Sequence, residues 1–233
     1  MTYQRPDLTK MESDFNALLS KFDIAQNAEE QTEILSEINE LKNEFNTYVS
    51  IASVRNSIDT TNAFYEAEQD FFDTNEPVIK NLHIKFYKAL GSSKFKNELQ
   101  KNFGNQLFKL ADVSLKTFDT SIIEDLKEEN KLGTQYTKLV ASAEVEFNGE
   151  KLTLPALSAF MESTDREVRK KAYQAYNGFF AAHEKEFDEI YDKLVKVRTT
   201  IAHKLCYKNF VELAYYRMAR TDYNAEMVKG FRE

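Results

Sequence analysis

From Arg166 onward the series Val168, Ala172, Tyr176, Phe179, His183, Phe187, Ile190, Leu194, Val197, Ile201 and Leu205 advances by steps of three or four residues without a miss. Side chains at that spacing share one face of an α-helix, so the pattern predicts a single helix of about forty residues. Gly178 lies inside it at a cost of about 1 kcal/mol relative to Ala. Burying any one large apolar side chain of the stripe contributes about 1.5 to 3 kcal/mol, so packing outweighs that cost. A helix this long needs other helices to cover its stripe, and the chain contains only 6 Gly and 3 Pro, sparse punctuation for a fold of many tight turns. The fold class expected is therefore all-α, built of long antiparallel helices.

The upstream sequence repeats the period. Phe15, Leu18, Leu19 and Phe22 define a short amphipathic helix that stops at Gln26 and Asn27. Asn27 with Glu30 three residues on reads as a capped start of a long helix through Ile34, Ile38, Leu41, Phe45, Tyr48 and Ala52, ending near Asp59. A third helix carrying Phe64, Phe71 and Phe72 meets Pro77, which lacks a backbone donor, so a kink or fresh start is expected at Asn75 before Ile79, Leu82, Phe86 and Leu90 resume the stripe. Gly91 ends it, and shorter helices carry Leu99, Phe103, Leu107, Leu110 and Leu115. Another helix spans about Ser121 to Ala143 with an acidic first turn. The period then changes to two in Val145 to Leu154 around Asn148-Gly149, the signature of one small β-hairpin near residues 145–154. Pro155 suits the first turn of a helix reaching Met161, and Asp165 with Glu167 offers a cap for the long helix. Two regions are expected: residues 1–144, helical, and residues 145–233, the hairpin plus the long helix.

Composition narrows function. Against 38 acidic residues stand 31 basic ones, so the net charge of 31 − 38 = −7 supplies no basic face for a phosphate backbone and argues against nucleic acid. With 42% hydrophobic and 13% aromatic residues the chain can fill a core, which excludes a disordered polymer. No stretch approaches about 18 uncharged apolar residues, so no membrane span is expected. The single Cys206 and a charged N-terminal segment predict a cytoplasmic protein.

Local chemistry is sparse. His183-Glu184-Lys185-Glu186-Phe187 matches four of five positions of HExxH, but Phe187 replaces the second imidazole, and one histidine does not hold zinc. The simpler reading of His183 is a partly buried, hydrogen-bonded member of the stripe. His203 and Cys206, three apart, could share a metal only with a distant third ligand such as His83; the simpler reading makes Cys206 a small buried hydrophobe. Glu124, Asp125, Glu128 and Glu129 read as a solvated helix face. No Glu stands three residues before any histidine, no Gly-x-Ser-x-Gly elbow occurs and no glycine-rich phosphate loop is present. The sequence therefore assigns no catalytic, cofactor-binding or metal-ligating residue.

Two blocks carry a resemblance. The first is Phe147-Asn148-Gly149-Glu150, Leu154-Pro155-Ala156-Leu157 and Ser163 to Tyr173; the second is Val197 to Leu205, Tyr207 to Leu213 and Tyr216-Arg217-Met218-Ala219-Arg220-Thr221-Asp222-Tyr223. Together they resemble the oligoendopeptidase F branch of the thimet oligopeptidase-like zinc metallopeptidases, closely over residues 145–233 and loosely over the rest. The family pattern places Gly where this chain has Cys206. The resemblance implies the N-terminal part of an all-helical peptidase whose halves enclose a channel for short peptides. Its zinc motif, glutamate base and further glutamate ligand lie beyond the equivalent of Glu233, so zinc belongs to the full-length family member and none is expected on this chain. A helix opening near Asp222 that reaches Glu233 without a partner agrees with an incomplete piece, on which the exposed surface could support a dimer.

Arg217 and Arg220 could meet peptide termini or backbone, but pairing with Asp222 or Glu212 between helices is the favoured reading. Two functions follow: the channel wall of a zinc oligopeptidase, inactive by itself, or a non-catalytic helical module that binds a protein partner in a groove.

Overall fold

The computed structural model describes residues 2–233. Its described residues form α1 (Leu8–Ile24), α2 (Ala28–Ile58), α3 (Ala63–Ser92), α4 (Lys96–Phe103), α5 (Asn105–Leu115), α6 (Ile123–Ala141), the hairpin β1 (Val145–Phe147) and β2 (Glu150–Leu152), α7 (Leu154–Ser158), α8 (Arg166–Ala182), α9 (Glu184–Lys204), α10 (Phe210–Arg217) and α11 (Ala225–Arg232). The all-α expectation holds, with the hairpin in its expected place. None of the described helices is long and apolar enough to cross a membrane.

Three apolar clusters organise the chain. In the first, α1, α2 and α3 pack mutually and α4 and α5 close one side, burying Phe15, Phe22, Ile38, Phe72, Phe86 and Leu90. The second joins Ile84 of α3 and Phe118 to Ile122, Leu126, Ile201 and Leu213, so that α6, α9 and α10 are held to the first bundle. The third is small: Phe147, Leu157 and Ala172, where α7 and α8 cover the hairpin. Local signals set the boundaries. Asn27 Oδ1 accepts from Glu30 N at 2.9 Å while the Glu30 carboxylate accepts from Gln26 N at 2.8 Å, a reciprocal cap for α2. Asn148 (φ 53°) and Gly149 (φ 86°) form the left-handed turn that pairs Val145 with Leu152 and Phe147 with Glu150.

Two expectations are corrected. First, of the two alternatives at Asn75, a kink or a fresh start, the fresh start does not occur, since α3 runs through Pro77 as one helix. Proline deprives the Asp73 carbonyl of its helical donor, and Asn130 Nδ2 of α6 supplies the missing hydrogen bond at 3.2 Å. Asn130→Ala is accordingly expected to cost about 1 kcal/mol in urea unfolding, and much less in a Pro77→Ala background, where the alanine N–H reaches the same carbonyl. An equal cost in both backgrounds would remove that role from Asn130.

Second, the predicted forty-residue helix is two, α8 and α9, meeting at His183 (φ −109°, ψ 17°). The stripe is continuous but its partners are not: α8 buries Ala172 against the hairpin, whereas α9 buries Ile201 and Ala202 in the second cluster. A bend lets each half face its own partner. Aromatic contacts fill the junction, with the His183 ring 4.6 Å from Phe179 and Phe180 stacked on Phe187 at 5.1 Å.

α9 and α10 each end in a left-handed residue that is not glycine, Cys206 (φ 64°) and Ala219 (φ 55°). Tyr207 N donates to Ala202 O at 2.9 Å and Arg220 N to Tyr215 O at 3.0 Å, the long-reach bonds of a Schellman end. A Cβ in that conformation costs about 1 kcal/mol, so Cys206→Gly and Ala219→Gly are each expected to raise stability by roughly that amount, additively, in thermal melts. A fall in Tm for either would show that its side chain packs favourably.

Candidate functional site

The most developed polar arrangement lies where α6, α9 and α10 meet. Leu126 and Leu132 put the apolar stripe of α6 inward, and Glu129 falls on that stripe, its side chain 6% exposed. Arg198 Nε of α9 donates to Glu129 Oε1 at 2.7 Å, and Arg217 Nη1 of α10 donates to Oε2 at 2.9 Å. Both guanidinium groups also lie over the Phe210 ring, 5.6 and 5.5 Å from its centre. One carboxylate thus pins two helices in register.

Glu129 opens onto a polar cavity of about 330 Å³ between α2, α3 and α6. Asp73, buried on its wall, accepts from Thr134 Oγ1 at 2.7 Å and from Gln69 Nε2 at 2.9 Å. Burial holds the Asp73 carboxyl above the usual carboxylate range despite those two donors. Asn56 Oδ1, also buried, has no partner within the protein.

Two sequence readings need correction here. The acidic run of α6 is not uniformly a solvated face: Glu124 and Glu128 are exposed, but Asp125 pairs with Lys204 at 2.6 Å and Glu129 is buried between the arginines. The signal was present, because Glu129 stands three residues from both Leu126 and Leu132 on the apolar face. For Arg217 the helix-to-helix reading is right in kind but the partner is Glu129. Asp222 instead accepts from Lys109 at 2.9 Å, Glu212 from the Tyr216 hydroxyl at 3.3 Å, and Arg220 lies 5.0 Å over the Tyr223 ring. Arg198 belongs to the same centre and its sequence context did not single it out.

The histidines stand apart from one another. His183 is half-buried with Nδ1 2.5 Å from Glu186 Oε2, as its simpler reading held. His203 Nε2 lies 3.3 Å from the Lys208 carbonyl at the end of α9. His83 lies on α3 with its ring 5.9 Å from Phe15. Cys206 is exposed rather than buried, because the turn that carries it projects from the end of α9. Among the described residues no three His, Cys, Asp or Glu side chains converge as metal ligands, so these residues do not fit a zinc centre. What the Glu129 arrangement can do is hold a surface in a fixed shape.

The profile of the Peptidase M3 N-terminal domain matches residues 1–118. PZ peptidase A, solved with an inhibitor, superimposes with a TM-score of 0.94 at 53% identity over 100% of this chain and 41% of that one. A protein assigned as oligoendopeptidase F gives a TM-score of 0.94 at 49% identity over 100% of this chain and 41% of its own. Another so assigned, from Bacillus anthracis, gives 0.93 at 50% identity over 99% and 42%. The chain thus spans about two fifths of each of these structures. No curated protein matches it.

Proposed function

The chain belongs to the M3 peptidase family, and from that premise we propose that it forms the N-terminal, channel-wall part of a cytoplasmic zinc oligopeptidase of the oligoendopeptidase F type, which hydrolyses short peptides. The observation that carries this reading is near-complete superposition, at about half identity, on two fifths of larger peptidase chains. Zinc, when bound by the whole enzyme, would polarise the scissile carbonyl and activate water. The residues described above hold shape: Glu129 fixes α9 and α10 against α6, and the bend at His183 carries the hairpin unit away from the main bundle. In this reading residues 1–144 form one region and residues 145–233 lead toward the catalytic part. Exposed Met227 and Phe231 of α11 would then be covered by that part.

The test is an assay on short fluorogenic peptides, with and without added zinc, of this chain and of the longer protein that contains it. The expected result is background hydrolysis by the chain alone and chelator-sensitive cleavage by the longer protein. Chelator-sensitive cleavage by the isolated chain would overturn the division of roles. Inactivity of both would favour a helical binding module.

A further inference from the structure

A second cavity, of about 420 Å³, lies between α2, α3, the end of α5 and the turn after α10. Three cations line it, Lys42, Lys80 and Arg217, against one carboxylate, Glu76. Arg217 is already committed to Glu129. Neither lysine forms an ion pair among the described residues. The Lys42 ammonium lies 3.5 Å from the Tyr87 hydroxyl, and that of Lys80 has the Phe118 ring 5.9 Å away as its described neighbour. His83 Nε2 is buried with no hydrogen-bond partner within the protein.

Three hydroxyl donors on the wall are spent. Ser114 Oγ donates to Leu110 O at 2.7 Å, Thr117 Oγ1 to Ser114 O at 2.8 Å, and the Tyr216 hydroxyl to Glu212. What remains is the Lys80 ammonium without an ion pair, the Lys42 ammonium with only the Tyr87 hydroxyl, and a buried imidazole nitrogen without a partner, on three residues that line one space. We propose that this cavity binds a compact oxyanion, a phosphate or a carboxylate, held by Lys42, Lys80 and His83. Charge-assisted hydrogen bonds to an oxyanion satisfy these donors together, and Glu76 offsets only one of the charges. Burial lowers the Lys80 ammonium below its ordinary range, with Arg217 adding to the effect and Glu76 and Glu129 opposing it, so a bound anion would restore its charge.

This proposal stands apart from the peptidase reading, since it is read by binding to the chain itself. Inorganic phosphate is titrated at constant ionic strength against chloride, by calorimetry and by thermal melting. The expected result is saturable binding with a rising Tm, weakened at least tenfold in Lys80→Met and in Lys42→Met. The methionine variants remove an unpaired ammonium and keep the stem's packing, so both are expected to fold. The imidazole NMR signal of His83 should move on saturation while those of His183 and His203 stay. A tetrapeptide with a free C-terminus and its C-terminal amide then separate the sources. Competition by the free form alone assigns a peptide carboxylate, and no competition assigns a free phosphate-type anion. A phosphate response that is linear, and equal in wild type and both lysine variants, would overturn the site.

Discussion

Glu129→Gln is expected to lower stability by about 3 kcal/mol in urea unfolding, the low end of what breaking a buried ion pair costs. The amide keeps the volume but removes the charge and one of the two acceptor oxygens, so either Arg198 or Arg217 meets an N–H where it met a carboxylate oxygen. The low end applies because the arginine side chains are 41% and 26% exposed, so water takes up part of the loss. Further, the triple variant Arg198→Met, Arg217→Met and Glu129→Met should recover most of the loss, because it removes both cations together with the carboxylate they share. The loss should also be local, so backbone amides of α10 are expected to lose hydrogen-exchange protection at lower denaturant than those of the first bundle. A cost under about 0.5 kcal/mol, the size of an exposed pair, would show that the arrangement is a surface contact only.

The pH dependence of stability should carry the imprint of His83. Burial, with Lys42 and Lys80 adding to it, pushes the His83 imidazole down to about 4 from an ordinary 6.5. Below 6.5 the unfolded chain takes up a proton that the folded chain refuses, so folding stability is complete above that pH and is lost as pH falls through about 4. At 1.36 kcal/mol per pH unit the gap is worth about 3 kcal/mol, fully lost only near the lower value. The carboxylates titrate in part of the same range, and Glu76 is the one on this cavity wall. The measurement is therefore the difference between wild type and His83→Gln, by urea unfolding from pH 7.5 to 4.5 in buffers free of phosphate and citrate. Wild type should lose about 2 kcal/mol or more relative to the variant across that range. A constant difference would mean that the imidazole protonates as readily in the fold as out of it.

Elements with strong local signals were readable from the chain. Asn27 with Glu30, Asn148-Gly149 and Asp165 each encode their own boundary through short-range hydrogen bonds, and the structure uses all three. What escaped depends on contacts between segments far apart in sequence. Pro77 signals a break by itself, and the side chain of Asn130, fifty-seven residues from the Asp73 carbonyl it satisfies, supplies the hydrogen bond that the proline cannot. A continuous stripe through His183 does not say that its two halves serve different cores. Glu129 was legible as a carboxylate on an apolar face, as His183 was legible as an imidazole on one, yet its partners Arg198 and Arg217 lie 69 and 88 positions onward. For Cys206 the resemblance supplied what residue type could not: a family glycine at that position matches the left-handed turn observed there.

The apolar cluster under the hairpin, α7 and α8 has three buried members, Phe147, Leu157 and Ala172, whereas the cluster of the first bundle has nineteen. Local opening costs scale with the apolar surface that must be exposed, so amides of residues 145–182 have an escape route to solvent that leaves the rest of the molecule folded. Opening of that unit would break the aromatic contacts across His183 and leave the Glu129 centre in register, so exchange protection should be lower over residues 145–182 than over the first bundle.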